Sequence, residues 1–175
     1  KRFKRLCILL YTVLISINLA PLYHPTLPIT INKDNQSFTM VQLNLNYNNP
    51  NLQQLLPILG DQHFDLLVIQ EVSDKQHLNI KKLAQYYPYS FGIEPTEATP
   101  SGIALFSRWP ITEKQIHDLA YKGGHILEAI IQRPESTSPI QIFALHPSSP
   151  RTKVLWQRRN QTLAVVAKKV ATSAF

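Results

Sequence analysis

SGIALFS, residues 101–107, places Ile103 and Leu105 on one face of an extended strand and Ala104 and Phe106 on the other. Side chains alternate between the faces of a strand, so this one is apolar on both sides. Such a strand needs a packed layer on each side. Helices can supply one layer, and a second sheet is the obvious candidate for the other. DLLVIQEVSD, residues 65–74, makes the same demand with its unbroken run Leu66 to Ile69. Yet that run ends on Gln70 and Glu71, two polar side chains in succession.

Upstream, SFTMVQLNL (37–45) alternates and is rich in strand formers. In NNPNLQQLLPILG, Asn49 is a candidate cap and Pro50 a first helical residue. Leu52, Leu55, Leu56 and Leu59 then share one helix face, with Pro57 expected to kink or end the helix. Ser73 or Asp74 is placed to cap a second helix with Ile80, Leu83, Ala84 and Tyr87 on one side. Candidate strands follow at 88–93, 101–107, 111–118, 125–132 and 139–146, with ESTSP (135–139) as a hairpin loop. A last basic helix is expected after Ser149 and Pro150, with Leu155, Leu163, Val166 and Val170 facing inward. Strand, helix, strand, helix and then a run of strands reads as an α/β layered fold with mainly antiparallel pairing.

The formal charge of +7 over 175 residues is unevenly spread. Residues 1–31 and 148–175 carry only basic groups, whereas 32–147 hold eight basic and eleven acidic ones. The basicity sits at the two ends, so it argues poorly for a nucleic-acid-binding face on the core. The single cysteine, Cys7, rules out an internal disulfide and leaves the redox compartment open. After KRFKR comes LCILLYTVLISINLAPLY, a charge-free run just long enough to span a bilayer. Residues 1–23 are therefore expected to be a membrane-anchor helix or a signal segment. INLAPLYHP offers no convincing cleavage site. The leading cations place the remainder on the non-cytoplasmic side. Residues 24–36 read as a Pro-containing linker and 37–175 as one domain.

Three polar residues end apolar strands: Asn44 in VQLNLN, Glu71 in LLVIQE and His146 in IQIFALH. On neighbouring strands of suitable direction, their ends would converge on one rim. Asn and Glu offer hard oxygen ligands that suit Mg²⁺, and a His beside them can donate to a phosphate oxygen. Each also has a plain alternative: a turn former, a solvated carboxylate or helix cap, and the polar start of a loop. No zinc ligand spacing, Gly-rich phosphate loop or G-x-S-x-G elbow occurs.

VQLNLN, DLLVIQEV, SGIALFSRWPI and ALHPSSP, in this order, resemble the endonuclease/exonuclease/phosphatase family, relatives of pancreatic deoxyribonuclease, abasic-site endonucleases and neutral sphingomyelinases. The resemblance runs from about Thr39 to Arg159. It implies a four-layered α/β sandwich, two sheets face to face with helices outside. It implies hydrolysis of phosphodiester or phosphomonoester bonds with Mg²⁺, or Mn²⁺ in its place. Asn44 and Glu71 would bind the metal, and Asn44 and His146 the substrate, with Glu71 and His146 the catalytic pair. The substrate would be a nucleic acid, a lipid head group or a small phosphodiester. The mildly acidic core and a membrane segment at 6–23 favour the latter two, and no protein partner is implied. The alternative is a non-catalytic, membrane-anchored binding protein on the same fold.

The family's later G-D-x-N and S-D-H motifs are missing. Residues 136–175 contain no Asp or Glu, and their one histidine is His146. The domain is thus expected to be incomplete at its C-terminus and inactive on its own.

Overall fold

The computed structural model describes residues 11, 13, 37–47, 49–93, 102–121, 124–134 and 136–173. The chain divides into two units, Lys1–Asn35 and Gln36–Phe175. In the first, only Tyr11 and Val13 are described, both helical. The expected anchor helix and linker otherwise lie outside the described residues. No helix among the described residues is long and apolar enough to cross a membrane.

The second unit runs β1 (Met40–Asn44), α1 (Leu52–Asp61), β2 (Leu66–Gln70), α2 (Asp74–Ile80) with a 3-10 turn (Lys81–Gln85), and β3 (Tyr89–Phe91). It continues with β4 (Ala104–Ser107), β5 (Ile111–Asp118), β6 (His125–Ile131), β7 (Ile140–Leu145) and α3 (Lys153–Thr172). One sheet has the order β1-β2-β4-β3, and the other is the meander β5-β6-β7. β1 and β2 are parallel, joined through α1, and every other pairing is antiparallel.

The alternation in β2 and β4 sorts the core into two layers. Leu67, Ile69, Ala104 and Phe106 pack with Leu52, Leu56, Leu59, Ile80, Leu83 and Tyr87 under the helices. Leu66, Val68, Ile103 and Leu105 face Leu127, Ala129, Ile131 and Ala144 of the second sheet. Full burial of such side chains contributes about 1.5–3 kcal/mol each. Tyr87 fits the apolar layer because its hydroxyl donates to Leu59 O at 2.8 Å. SRWPI turns the chain from one sheet to the other. The fully buried Ser107 hydroxyl accepts from Trp109 N at 3.0 Å and donates to Trp109 O at 2.7 Å. On the outer side of the meander, Tyr121 Oη donates to Arg158 O (2.9 Å) and Lys169 Nζ meets Glu128 (3.4 Å). Helix, sheet, sheet, helix is the four-layered sandwich that SGIALFS requires.

Three local expectations change. Asn51, not Asn49, precedes α1, and Asn49 Oδ1 instead accepts from Asn51 N at 2.9 Å. Pro57 sits inside α1 without ending it. It lies on the exposed face, where solvent can satisfy the carbonyl that its missing N–H would have engaged. α3 is capped by Thr152 rather than Ser149, its hydroxyl accepting from Leu155 N at 3.2 Å. Its inward face is centred on buried Thr162, leaving Leu163 at 41% and Val170 at 56% exposure. Leu155 and Val166 are half-buried as their spacing requires, while Thr162, Arg158 and Lys169 add polar contacts that apolar spacing does not report.

Candidate active site at the sheet rim

β1 and β2 are parallel and in register, with Asn44 opposite Gln70. Their C-terminal ends therefore emerge together. Gln70 still belongs to the pleat and points between the sheets, 8% exposed, where its Nε2 donates to Leu145 O at 2.7 Å. That bond joins the end of β2 to the end of β7, one residue before Glu71 on one side and before His146 on the other. The pairing Gln-Glu thus divides its labour: the first side chain ties the two sheets and the second is presented at the rim.

Glu71 leaves the strand with φ +59°. The left-handed region is costly for a residue with a Cβ, and such residues concentrate at functional sites. Two further left-handed residues flank it. Asn46 has φ +60° and Gly102 φ +66°. A side chain at Gly102 would meet Tyr47 Oη and Val72 O at 3.1 Å, and Gly102 O accepts from Val72 N at 3.0 Å. The glycine of SGIALFS therefore lets two loops close upon the residue after Glu71.

The three expected residues come together. Asn44 Nδ2 donates to Glu71 Oε1 at 2.7 Å, and His146 Nε2 lies 3.5 Å from the same oxygen. Asn44 Oδ1 is engaged by Asn46 N at 2.9 Å, fixing the amide so that its donor faces the carboxylate. Both neighbours address Oε1, and Oε2 has no partner among the described residues. The Glu71 and His146 side chains are 24% and 27% exposed, open enough to receive a ligand. The Glu71 carboxylate suits a hard cation such as Mg²⁺, which binds through one or two carboxylates and keeps water or phosphate on its other positions. Asn44, expected as a second ligand, turns its NH₂ rather than its oxygen toward that carboxylate. Among the described residues no group of three or more His, Cys, Asp or Glu side chains is arranged to hold a metal.

Tyr47 was not among the expected residues. Burial, reinforced by the Glu71 charge, raises its phenol above the ordinary value of 10.0, so at neutral pH it is an O–H donor beside the carboxylate. Gln76 is a second residue that no motif marks. Its side chain accepts from Ser73 N at 3.1 Å and donates to Asn46 O at 3.3 Å, linking α2 to the Asn46 turn. The repeated asparagines of NLNYNN were the only hint of that turn.

The sequence profile of the Endonuclease/Exonuclease/phosphatase family matches residues 41–174. The chain belongs to this family. No curated protein sequence matches it. Among solved structures it is similar to an endonuclease/exonuclease/phosphatase from Beutenbergia cavernae, with TM-score 0.59 and 17% identity over 75% of this chain and 43% of that one. It is also similar to truncated Caenorhabditis elegans TDP2, with TM-score 0.60 and 15% identity over 77% of this chain and 55% of that one. The chain thus spans about half the length of these structures, and the likeness is one of fold. The family match contains Asn44, Glu71 and His146, so the rim lies within the family domain.

Proposed function

We propose that the rim of Asn44, Glu71 and His146 is one side of a divalent-metal-dependent phosphoesterase centre. The family is one of hydrolases acting on phosphate esters, typically with a metal such as Mg²⁺. The observation that carries the reading is the placement of Glu71. A strained backbone, a fixed amide donor and a histidine are all spent on presenting one carboxylate. Glu71 Oε2 would hold the cation, and Asn44 would keep that carboxylate in its rotamer. A bound cation would polarise the phosphoryl oxygens and offset charge developing in the transition state. His146 Nε2, 3.5 Å from Glu71 Oε1, is placed to turn to a phosphate oxygen.

Water activation needs a further base, and residues 136–175 contain no carboxylate to supply one. We therefore expect residues 1–175 alone to be inactive on phosphodiesters. Mg²⁺-dependent turnover by purified 1–175, abolished in Glu71→Gln, would overturn that expectation. The site itself is tested by melting temperature. Mg²⁺ or Mn²⁺ should raise it in the parent and not in Glu71→Gln, as for any ligand that binds only the folded state. An equal rise in both would move the metal elsewhere.

A further inference from the structure

A cleft of about 310 Å³ opens beside the rim, between Tyr47, the start of α1 and the Gln76–Asn79 side of α2. Its size falls at the lower end of small-ligand sites, about 300–1,000 Å³. Its lining is distinctive in composition. Asn49, Gln53, Gln76 and Asn79 contribute four amides, Leu52 an apolar floor and Tyr47 a ring that is 46% exposed. None of the described residues lining it is charged.

The amides are not equivalent. Gln76 uses both ends internally, on Ser73 N and Asn46 O, and so is part of the wall. Gln53 Nε2 donates to Asn79 Oδ1 at 2.5 Å, which pins the two side chains together across α1 and α2. That leaves Gln53 Oε1 as an acceptor and Asn79 Nδ2 as a donor on the two bonded amides. Asn49 Oδ1 is taken by Asn51 N, so its Nδ2 is a further donor. Paired donor and acceptor groups on fixed amides suit a neutral group that offers both in return. An aromatic face beside them suits a flat or ring-shaped group. Nothing among the described lining residues would attract a second phosphate.

We propose that this cleft is a subsite for the uncharged organic part of the phosphate ester, a nucleoside or a polyol head group. The phosphate would lie at the rim, and the attached moiety would rest against Tyr47 with its hydrogen-bonding edge on Gln53 and Asn79. The inference deepens the phosphoesterase reading and rests on it, but its test does not need the phosphate site. Adenosine and myo-inositol, which carry no phosphate, are titrated separately into ¹⁵N-labelled 1–175. At least one should shift the side-chain amide signals of Asn49, Gln53 and Asn79 saturably, with a Kd of about 1–10 mM. Gln53→Ala should abolish those shifts. Gln53 is exposed on a helix, where Ala is well tolerated, so the variant will fold. A response to adenosine alone assigns a nucleoside, to inositol alone a polyol, and to both a site that reads hydrogen-bonding capacity without selecting the ring. Absence of shifts with both probes, or shifts that survive Gln53→Ala, would overturn the proposal. Failure of the metal-dependent melting shift with the amide shifts intact would instead overturn the reading of the rim.

Discussion

Glu71 combines a backbone cost with a chemical gain. A left-handed conformation costs a residue with a Cβ roughly 1–2 kcal/mol, and glycine would relieve it. Glu71→Gly is therefore expected to leave stability unchanged or raise it by up to about 1 kcal/mol, read from urea unfolding. The same variant should lose its melting response to Mg²⁺. A destabilised Glu71→Gly would mean that the side chain contributes more to the fold than its bond to Asn44 suggests. Asn44→Ala removes the donor that fixes the carboxylate without touching Oε2. Its Mg²⁺ affinity should fall by about 10- to 100-fold, as when other orienting partners of metal ligands are removed. Both residues, with His146, were legible as polar residues ending apolar strands. What sequence could not convey was the division between Gln70 and Glu71. That depends on one φ angle, which no propensity assigns to glutamate.

Two elements show how far periodicity reaches. β2 and β4 have buried side chains on both faces, and the demand for two covering layers followed from composition alone. α3 shows the limit. Its register is set by Thr162, which bonds Arg158 O and Tyr121 Oη, and by Lys169 and Ser173 on the outer face of the meander. Apolar spacing carries no information about such a polar seam. At that seam burial alone would raise the Glu128 carboxyl. Hydrogen bonds from His117 (2.5 Å) and Gln141 (2.7 Å) and the Lys169 ammonium outweigh it and hold the pKa below its ordinary 4.5. A depressed carboxyl binds fewer protons folded than unfolded, so its stabilisation is present above the unfolded value. It is lost as pH falls below about 4.5 and through the folded pKa. The stability difference between the parent and Glu128→Gln should accordingly shrink as urea unfolding is repeated from pH 7 down to pH 4. A difference independent of pH would show that Glu128 does not hold the seam through its charge. Between the sheets, Gln70→Ala removes the bond from β2 to β7. It should cost about 1–3 kcal/mol, because Leu145 O loses a partner in a part-buried site.

At the scale of the molecule the two sheets are open on one flank. Among the described residues β1 pairs only with β2 and β7 only with β6. Between these edges runs a groove lined by Met40, Val68, Phe143 and Leu163, with Gln42 and His146 beside them. Exposed edges and apolar grooves invite association. Purified 1–175 should show a concentration-dependent rise in mass by light scattering, and a constant monomer mass would contradict this. Layer count, element order and family were legible in the chain, because they follow from strands apolar on both faces and from short motifs in a fixed order. The α3 register, the Tyr47–Gln53–Asn79 cleft and the strained turns were not, because each depends on tertiary contacts between residues of ordinary type. Glu71 is the expected cation ligand. Paramagnetic Mn²⁺, added substoichiometrically to ¹⁵N-labelled 1–175, reads that directly. Broadening should be strongest at Glu71 and Val72, extend to Asn44 and His146, and vanish in Glu71→Gln. Broadening centred elsewhere, or unchanged in Glu71→Gln, would contradict it.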